Sequence, residues 1–122
     1  MINKIGKIGK RNIVANKELK KNFEEAGIMR CEVTGKTWAL TFAHRHKRIE
    51  YRSCPEKLSD LNEVLLLTVN VHNLIEHDRQ LTKDLFNCLR PVGKADGFNN
   101  ARRLIVNYLE KQGKNHLIDS IL

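Results

Sequence analysis

One stretch decides the fold: residues 37–44, TWALTFAH. Its large apolar residues Trp38, Leu40 and Phe42 alternate with smaller or polar ones, which predicts a half-buried β-strand with these side chains in the core. If the alternation continues for one more step, His44 ends the strand on its apolar, inward face. An imidazole at that position is a candidate for chemistry, because histidine changes its protonation near neutral pH.

A second strand and a long helix are predicted downstream. Residues 45–60 read as a polar, irregular loop, and residues 62–68, NEVLLLT, are too apolar for a surface loop and suit a buried strand. Asn70 is the predicted N-cap of a helix that runs to about residue 89. His72 then lies in the first turn of that helix, and Glu76 lies one turn further along the same face.

The flanking segments predict further helices around this pair of strands. Residues 12–26 have apolar residues at helical spacing and end at Gly27, whereas the glycines of residues 1–11, MINKIGKIGKR, favour a flexible basic arm. A C-terminal helical region is expected over residues 95–122, with an amphipathic helix near 100–112. The prediction is an α+β fold with one domain over residues 12–122.

Positive charge is concentrated in the first part of the chain. The formal net charge is +8, and residues 1–48 contain 12 Lys and Arg against 4 Asp and Glu, while residues 49–122 contain 10 of each class. A one-sided positive field favours a polyanionic partner through release of counterions. A surface that only confers solubility is the alternative.

The cysteines and the hydropathy pattern point to a cytoplasmic protein. The chain has an odd number of cysteines, and no two of them form a CxxC pair, which disfavours a disulfide framework. They are Cys31, Cys54 and Cys88. No apolar run approaches the length of about 18 residues that a membrane span requires, and no signal peptide is visible.

Four segments of the chain resemble the HNH nucleases, the ββα-metal group, and in particular the short HNH proteins of bacteriophages and mobile elements. Together they lie within residues 31–86. The resembling residues are CEVTG (31–35), LTFAHRHKRIEYR (40–52), LSDLNEVLLL (58–67) and HNLIE (72–76). The resemblance implies a small core of a two-stranded hairpin and a helix, with an N-terminal helix and C-terminal helices packed around it.

The resemblance also implies catalytic roles for three residues. His44 would be the general base that takes a proton from the attacking water, and Asn62 would fix the loop or orient the His44 ring through its side chain. His72 would bind one divalent metal ion, Mg²⁺ or alternatively Mn²⁺, Ni²⁺ or Zn²⁺.

Two departures from the family pattern concern metals. Ala43 stands where many members carry a metal ligand, so Glu76 or His77 would have to complete the site with His72; His46 is a weaker candidate. Many members also clamp the fold with zinc held by two CxxC pairs. Only Cys31 remains of those four positions, which excludes a four-thiolate zinc. The other three positions are Thr34, Thr68 and Val71.

Basic residues supply the expected contacts to nucleic acid, with double-stranded DNA as the expected partner. Three lie in the N-terminal arm and four lie in the loop after His44. They are Lys7, Lys10, Arg11, Arg45, Lys47, Arg48 and Arg52. Tyr51 could stack on bases, and so could Trp38 and Phe42 if they were not in the core.

The sequence therefore predicts a metal-dependent DNA endonuclease, with a homodimer or phage packaging and replication proteins as further partners. Two other interpretations stay open. The chain could be an HNH-fold DNA-binding protein with impaired catalysis, or an adaptor that binds another protein through residues 100–122.

Overall fold

The computed structural model describes residues 7–122, and for residues 7–15 and Arg48 it describes the backbone only. The class is α+β, as predicted. The main elements are α1 (Lys7–Glu25), β1 (Leu40–His44), β2 (Val64–Thr68), α2 (Val69–Ile75), α3 (Arg79–Leu89), α4 (Gly97–Lys111) and α5 (Ile118–Ile121). Short 3₁₀ turns lie at Arg48–Tyr51, Pro55–Ser59, Leu61–Glu63 and Asn115–Leu117.

The two predicted strands form an antiparallel hairpin. Leu40 pairs with Thr68 at one end of the ladder, and His44 pairs with Val64 at the other. The first strand begins two residues later than predicted, because Ala39 adopts a left-handed backbone conformation with φ of 53°. Trp38 is consequently 63% exposed, so its predicted place in the core was wrong.

Each face of the hairpin packs against different helices. Phe42 contacts the buried cluster formed with α1, while its neighbour Ala43 belongs to the main core on the opposite face. The α1 cluster contains Leu19, Phe23, Val64 and Leu66. The main core includes Leu65, Leu67, Val71, Ile75, Leu85, Phe86, Ala101, Ile105 and Leu109. The alternation of side chains along a strand thus divides the chain into two packed layers.

Helix α1 begins at Lys7, five residues before the predicted start, so residues 7–11 of the predicted flexible arm are helical. Residues 1–6 of that arm lie outside the described residues. The predicted end of the helix is confirmed. Gly27 has φ of +76°, and the N–H of Ile28 donates to the carbonyl of Phe23 at 2.9 Å, which closes the last turn.

The predicted helix over residues 70–89 is two helices, α2 and α3. The hydroxyl of Thr68 caps α2, so Asn70 is not the N-cap and lies inside the helix. Asp78 interrupts the run, because its carboxylate accepts from the N–H of Leu81 at 2.9 Å and caps α3. The C-terminal helices are confirmed, with α4 beginning at Gly97.

A buried ion pair joins the segments that surround the hairpin. The Arg90 guanidinium makes a two-pronged contact with the Glu32 carboxylate, at 2.5 and 3.1 Å. The other N–H groups of Arg90 donate to backbone carbonyls of Leu61, Val64 and Leu89, at 2.7, 2.7 and 2.9 Å. All five guanidinium donors are therefore used, which offsets the cost of burying the charge.

We expect Arg90→Met to reduce the free energy of unfolding by about 3–5 kcal/mol, because it leaves the Glu32 carboxylate buried without its partner. Urea denaturation measures the change. Arg103→Met, at an exposed position of α4, is the matched control and should be nearly neutral. Equal losses in the two variants would contradict the role assigned to the ion pair.

Candidate catalytic site at the end of the hairpin

His44 is half-buried at the last position of β1, as predicted from the alternation. Its Nε2 lies 3.0 Å from the carbonyl oxygen of Leu58. A carbonyl can only accept, so Nε2 carries the proton in this contact. In the neutral ring the basic lone pair is then on Nδ1, which is the atom that could take a proton from water.

The ring of Tyr51 stands beside His44, with 5.7 Å between the ring centroids and an interplanar angle of 64°. The Tyr51 hydroxyl accepts from the backbone N–H of His46 at 3.0 Å and donates to Glu63 at 3.2 Å. Burial raises the pKa of Tyr51 to about 12, although the hydrogen bond from His46 opposes this. The phenol therefore stays protonated and bridges the loop after His44 to the start of β2. Because Tyr51 is only 4% exposed, it is not placed to stack on bases.

Asn62 lies in the 3₁₀ turn before β2, and its side chain is exposed. Its backbone N–H donates to the Asp60 carboxylate at 2.9 Å, and its carbonyl accepts from Arg45 at 3.0 Å. The His44 ring is held by the carbonyl of Leu58. The role predicted for the Asn62 side chain stays a prediction.

The basic residues of the loop are not equivalent. The Arg45 guanidinium lies over the Phe86 ring, 4.4 Å from its centroid, and 3.7 Å from the Glu63 carboxylate, so Arg45 is partly committed to the protein itself. Lys47 and Arg52 are exposed. The side chains of Lys7, Lys10, Arg11 and Arg48 lie outside the description.

His72 lies on α2 and is half-buried, whereas Glu76 and His77 are exposed in the turn that follows the helix. Burial lowers the pKa of His72, and the nearby Glu76 carboxylate partly opposes that shift. The N–H of Glu76 still donates to the carbonyl of His72 at 3.0 Å, so the helical spacing of the pair is kept. His72 and Glu76 thus offer an imidazole whose neutral form burial favours and a carboxylate one turn away.

The hairpin presents Ala43 and His44 to opposite faces. Ala43 is buried with Val71 and Ile75 of α2, while His44 follows Phe42 on the face toward α1. Ala43, where HNH proteins often carry a metal ligand, therefore faces the helix that bears His72 and is apolar, whereas His44 lies on the opposite face of the hairpin. Among the side chains that the structure describes, no group of three His, Cys, Asp or Glu residues could hold a metal ion.

The four positions that the resemblance assigns to a zinc clamp converge in the fold. The Cys31 thiol accepts from the backbone N–H of Thr34 at 3.4 Å and from that of Thr68 at 3.3 Å. The N–H of Val71 points to the Thr68 hydroxyl at 3.5 Å. All four residues are buried. Hydrogen bonds and apolar packing join the loop after α1 to the start of α2 at these positions.

Sequence reasoning missed two groups in this site, the Leu58 carbonyl and the Glu63 carboxylate. Neither carries a sequence signal of its own, because a main-chain acceptor can belong to any residue and Glu63 stands in an ordinary turn. The sequence predicts only base stacking for Tyr51, and nothing in it indicates the buried hydrogen bonds of the Tyr51 hydroxyl.

Comparison with known proteins gives no relative from which a function could be transferred. No protein-family model, curated protein or solved structure matches the chain. Within residues 7–122, none of the helices combines the length and apolar character needed to cross a membrane.

The pKa of His72 should lie below its ordinary value of 6.5 in the folded protein. The folded state then resists a proton that the unfolded chain accepts, so this group lowers stability as the pH falls below about 6.5. NMR titration of the histidine rings measures it, with His72→Gln for assignment. Glu76→Gln should lower the His72 pKa further, and His116→Gln, in the exposed tail, should leave it unchanged. A pKa at or above 6.5 would contradict the burial of the ring.

Proposed function

We propose that the chain is a metal-dependent DNA endonuclease of the HNH type, which hydrolyses phosphodiester bonds with His44 as general base. The observation that carries this proposal is the contact between His44 Nε2 and the Leu58 carbonyl at the end of β1. It selects the tautomer whose Nδ1 can accept a proton, and it holds the ring at the edge of a basic loop.

This tautomer supplies the base, and the resemblance to HNH nucleases implies which bond breaks. Nδ1 of His44 takes a proton from a water molecule while the water oxygen attacks the phosphorus atom. The bond from phosphorus to the 3′ oxygen breaks, and the leaving oxygen takes a proton from a solvent water molecule to become a hydroxyl. The products are a 5′-phosphate and a 3′-hydroxyl. A neutral imidazole near pH 7 is required for the first step.

His72 and Glu76 are the residues that would hold the metal ion. The lowered pKa of His72 favours the neutral imidazole that a metal requires, and the carboxylate of Glu76 suits Mg²⁺ or Mn²⁺. A bound cation would supply stabilisation of the negative charge that develops on the phosphate and on the leaving oxygen. His77 is the alternative second ligand, since Ala43 cannot serve.

Charge on the exposed side of the loop supports a nucleic-acid substrate. Lys47 and Arg52 are exposed within eight residues of His44, and the excess positive charge of the chain lies in residues 1–48. Contacts from such residues to phosphates would fix the position of the DNA without reading its sequence. We expect the enzyme to act on double-stranded DNA in the cytoplasm.

The convergence of Cys31, Thr34, Thr68 and Val71 supports the family assignment independently of the catalytic residues. The resemblance equates these four positions, which lie in two segments more than thirty residues apart, with the zinc clamp of other HNH proteins, although this chain lacks three of the four cysteines. The hydrogen bond from the main-chain N–H of Thr68 to the Cys31 thiol joins the two segments. A chance match of His, Asn and His would not require this second agreement.

Nicking of supercoiled plasmid tests the proposal. We expect activity with Mg²⁺ or Mn²⁺ that chelator abolishes, and a loss of about 10²–10⁴-fold in His44→Ala, because the general base is removed. His72→Ala should raise the metal concentration that nicking requires. His116→Ala, in the exposed tail, is the matched control and should retain full activity. Equal activity in the wild type and all three variants would contradict the proposal.

One observation favours a second candidate, an HNH-fold DNA-binding protein without catalysis. The apolar Ala43 faces α2, where a further ligand would stand in a complete metal site. This candidate predicts DNA binding that weakens steeply with salt and needs no divalent ion. Binding of this kind, together with no nicking under any metal, would favour it over the nuclease.

A further inference from the structure

Tyr51 is a buried aromatic residue beside His44. Its ring meets the imidazole nearly edge-on, with 5.7 Å between the centroids. It belongs to the 3₁₀ turn Arg48–Tyr51 and is 4% exposed, although Ile49 and Glu50 of the same turn are exposed. A large side chain with a polar hydroxyl is thus buried beside the candidate general base.

The partner of Tyr51 in the interior is Leu58. The two side chains form a small buried cluster of their own, separate from the two larger ones. The carbonyl of the same Leu58 accepts from His44 Nε2. The Tyr51 ring therefore contacts the His44 imidazole. It also contacts Leu58, whose carbonyl selects the tautomer of that imidazole.

The hydroxyl of Tyr51 ties this arrangement to the start of β2. It donates to the Glu63 carboxylate at 3.2 Å and accepts from the N–H of His46 at 3.0 Å. Glu63 is itself anchored, because its carbonyl accepts from the N–H of Arg45 at 2.7 Å and its carboxylate lies 3.7 Å from the Arg45 guanidinium. The loop after His44 is thus joined to Glu63 through Arg45 and through Tyr51, which also binds His46.

We propose that Tyr51 is a positioning residue that fixes the orientation and tautomer of the His44 ring. The ring of Tyr51 would hold Leu58 and the imidazole together, and its hydroxyl would hold the loop through Glu63 and His46. The importance of this role for catalysis rests on the proposed nuclease function. The positioning itself is a property of the folded chain and can be measured without DNA.

Two substitutions separate the parts of the side chain. Tyr51→Phe keeps the ring and removes the hydroxyl, whereas Tyr51→Leu removes the ring as well. Tyr108→Phe, at the other tyrosine of the chain, is the matched control. Circular dichroism and urea denaturation establish that each variant is folded before it is compared.

Nitrogen-15 NMR of the histidine rings gives the first readout. The wild type and Tyr108→Phe should show His44 with the proton on Nε2. Tyr51→Phe should keep that signature and exchange the His46 amide faster, and Tyr51→Leu should show a mixture of tautomers. An unchanged His44 signature in folded Tyr51→Leu would overturn the proposal.

Plasmid nicking gives the second readout. If the nuclease function holds, kcat should fall by about 10–100-fold in Tyr51→Leu while KM for DNA stays constant, because a misplaced base loses chemistry and not binding. A rise in KM with constant kcat would overturn the positioning role. An altered His44 signature in a chain whose wild type cuts no DNA would support the positioning and overturn the nuclease function alone.

Discussion

The buried ion pair of Arg90 and Glu32 constrains the hairpin and the segments around it. The Arg90 guanidinium donates to the carbonyls of Leu61 and Val64, so it fixes the chain where β2 begins. Glu32 extends the contact, because its carboxylate accepts from the N–H of Leu66 at 2.7 Å. The entry to β2 sets the register of the hairpin, and that register places His44 beside Val64 at the end of the ladder.

The hairpin was predictable because its signal is local. Alternation over residues 38–44 and the apolar run before Thr68 define two strands, and the same alternation correctly placed His44 on the face of Phe42. The prediction failed where one residue's conformation decides the outcome. The left-handed Ala39 shortens β1 and exposes Trp38, and the Asp78 cap divides a helix whose apolar periodicity runs on without a break.

The candidate site was predictable only in part, for a related reason. His44 and His72 occupy the elements expected of them, but the sequence could not tell that Ala43 and His44 would meet different helices. The contacts that hold the His44 ring come from Leu58 and Tyr51, which lie in turns without periodicity. Arg90 gave no signal at all, since a single arginine after a helix is indistinguishable from a solvated one until its partners are known.

A crystal structure of His44→Ala with a DNA duplex and Mn²⁺ would show whether His44 and His72 act on one phosphodiester bond. Anomalous scattering locates the metal ion without ambiguity. We expect one Mn²⁺ bound by His72 with Glu76 or His77, and a DNA phosphate between that ion and residue 44. Mn²⁺ bound away from α2, or DNA on a surface remote from the end of β1, would contradict it.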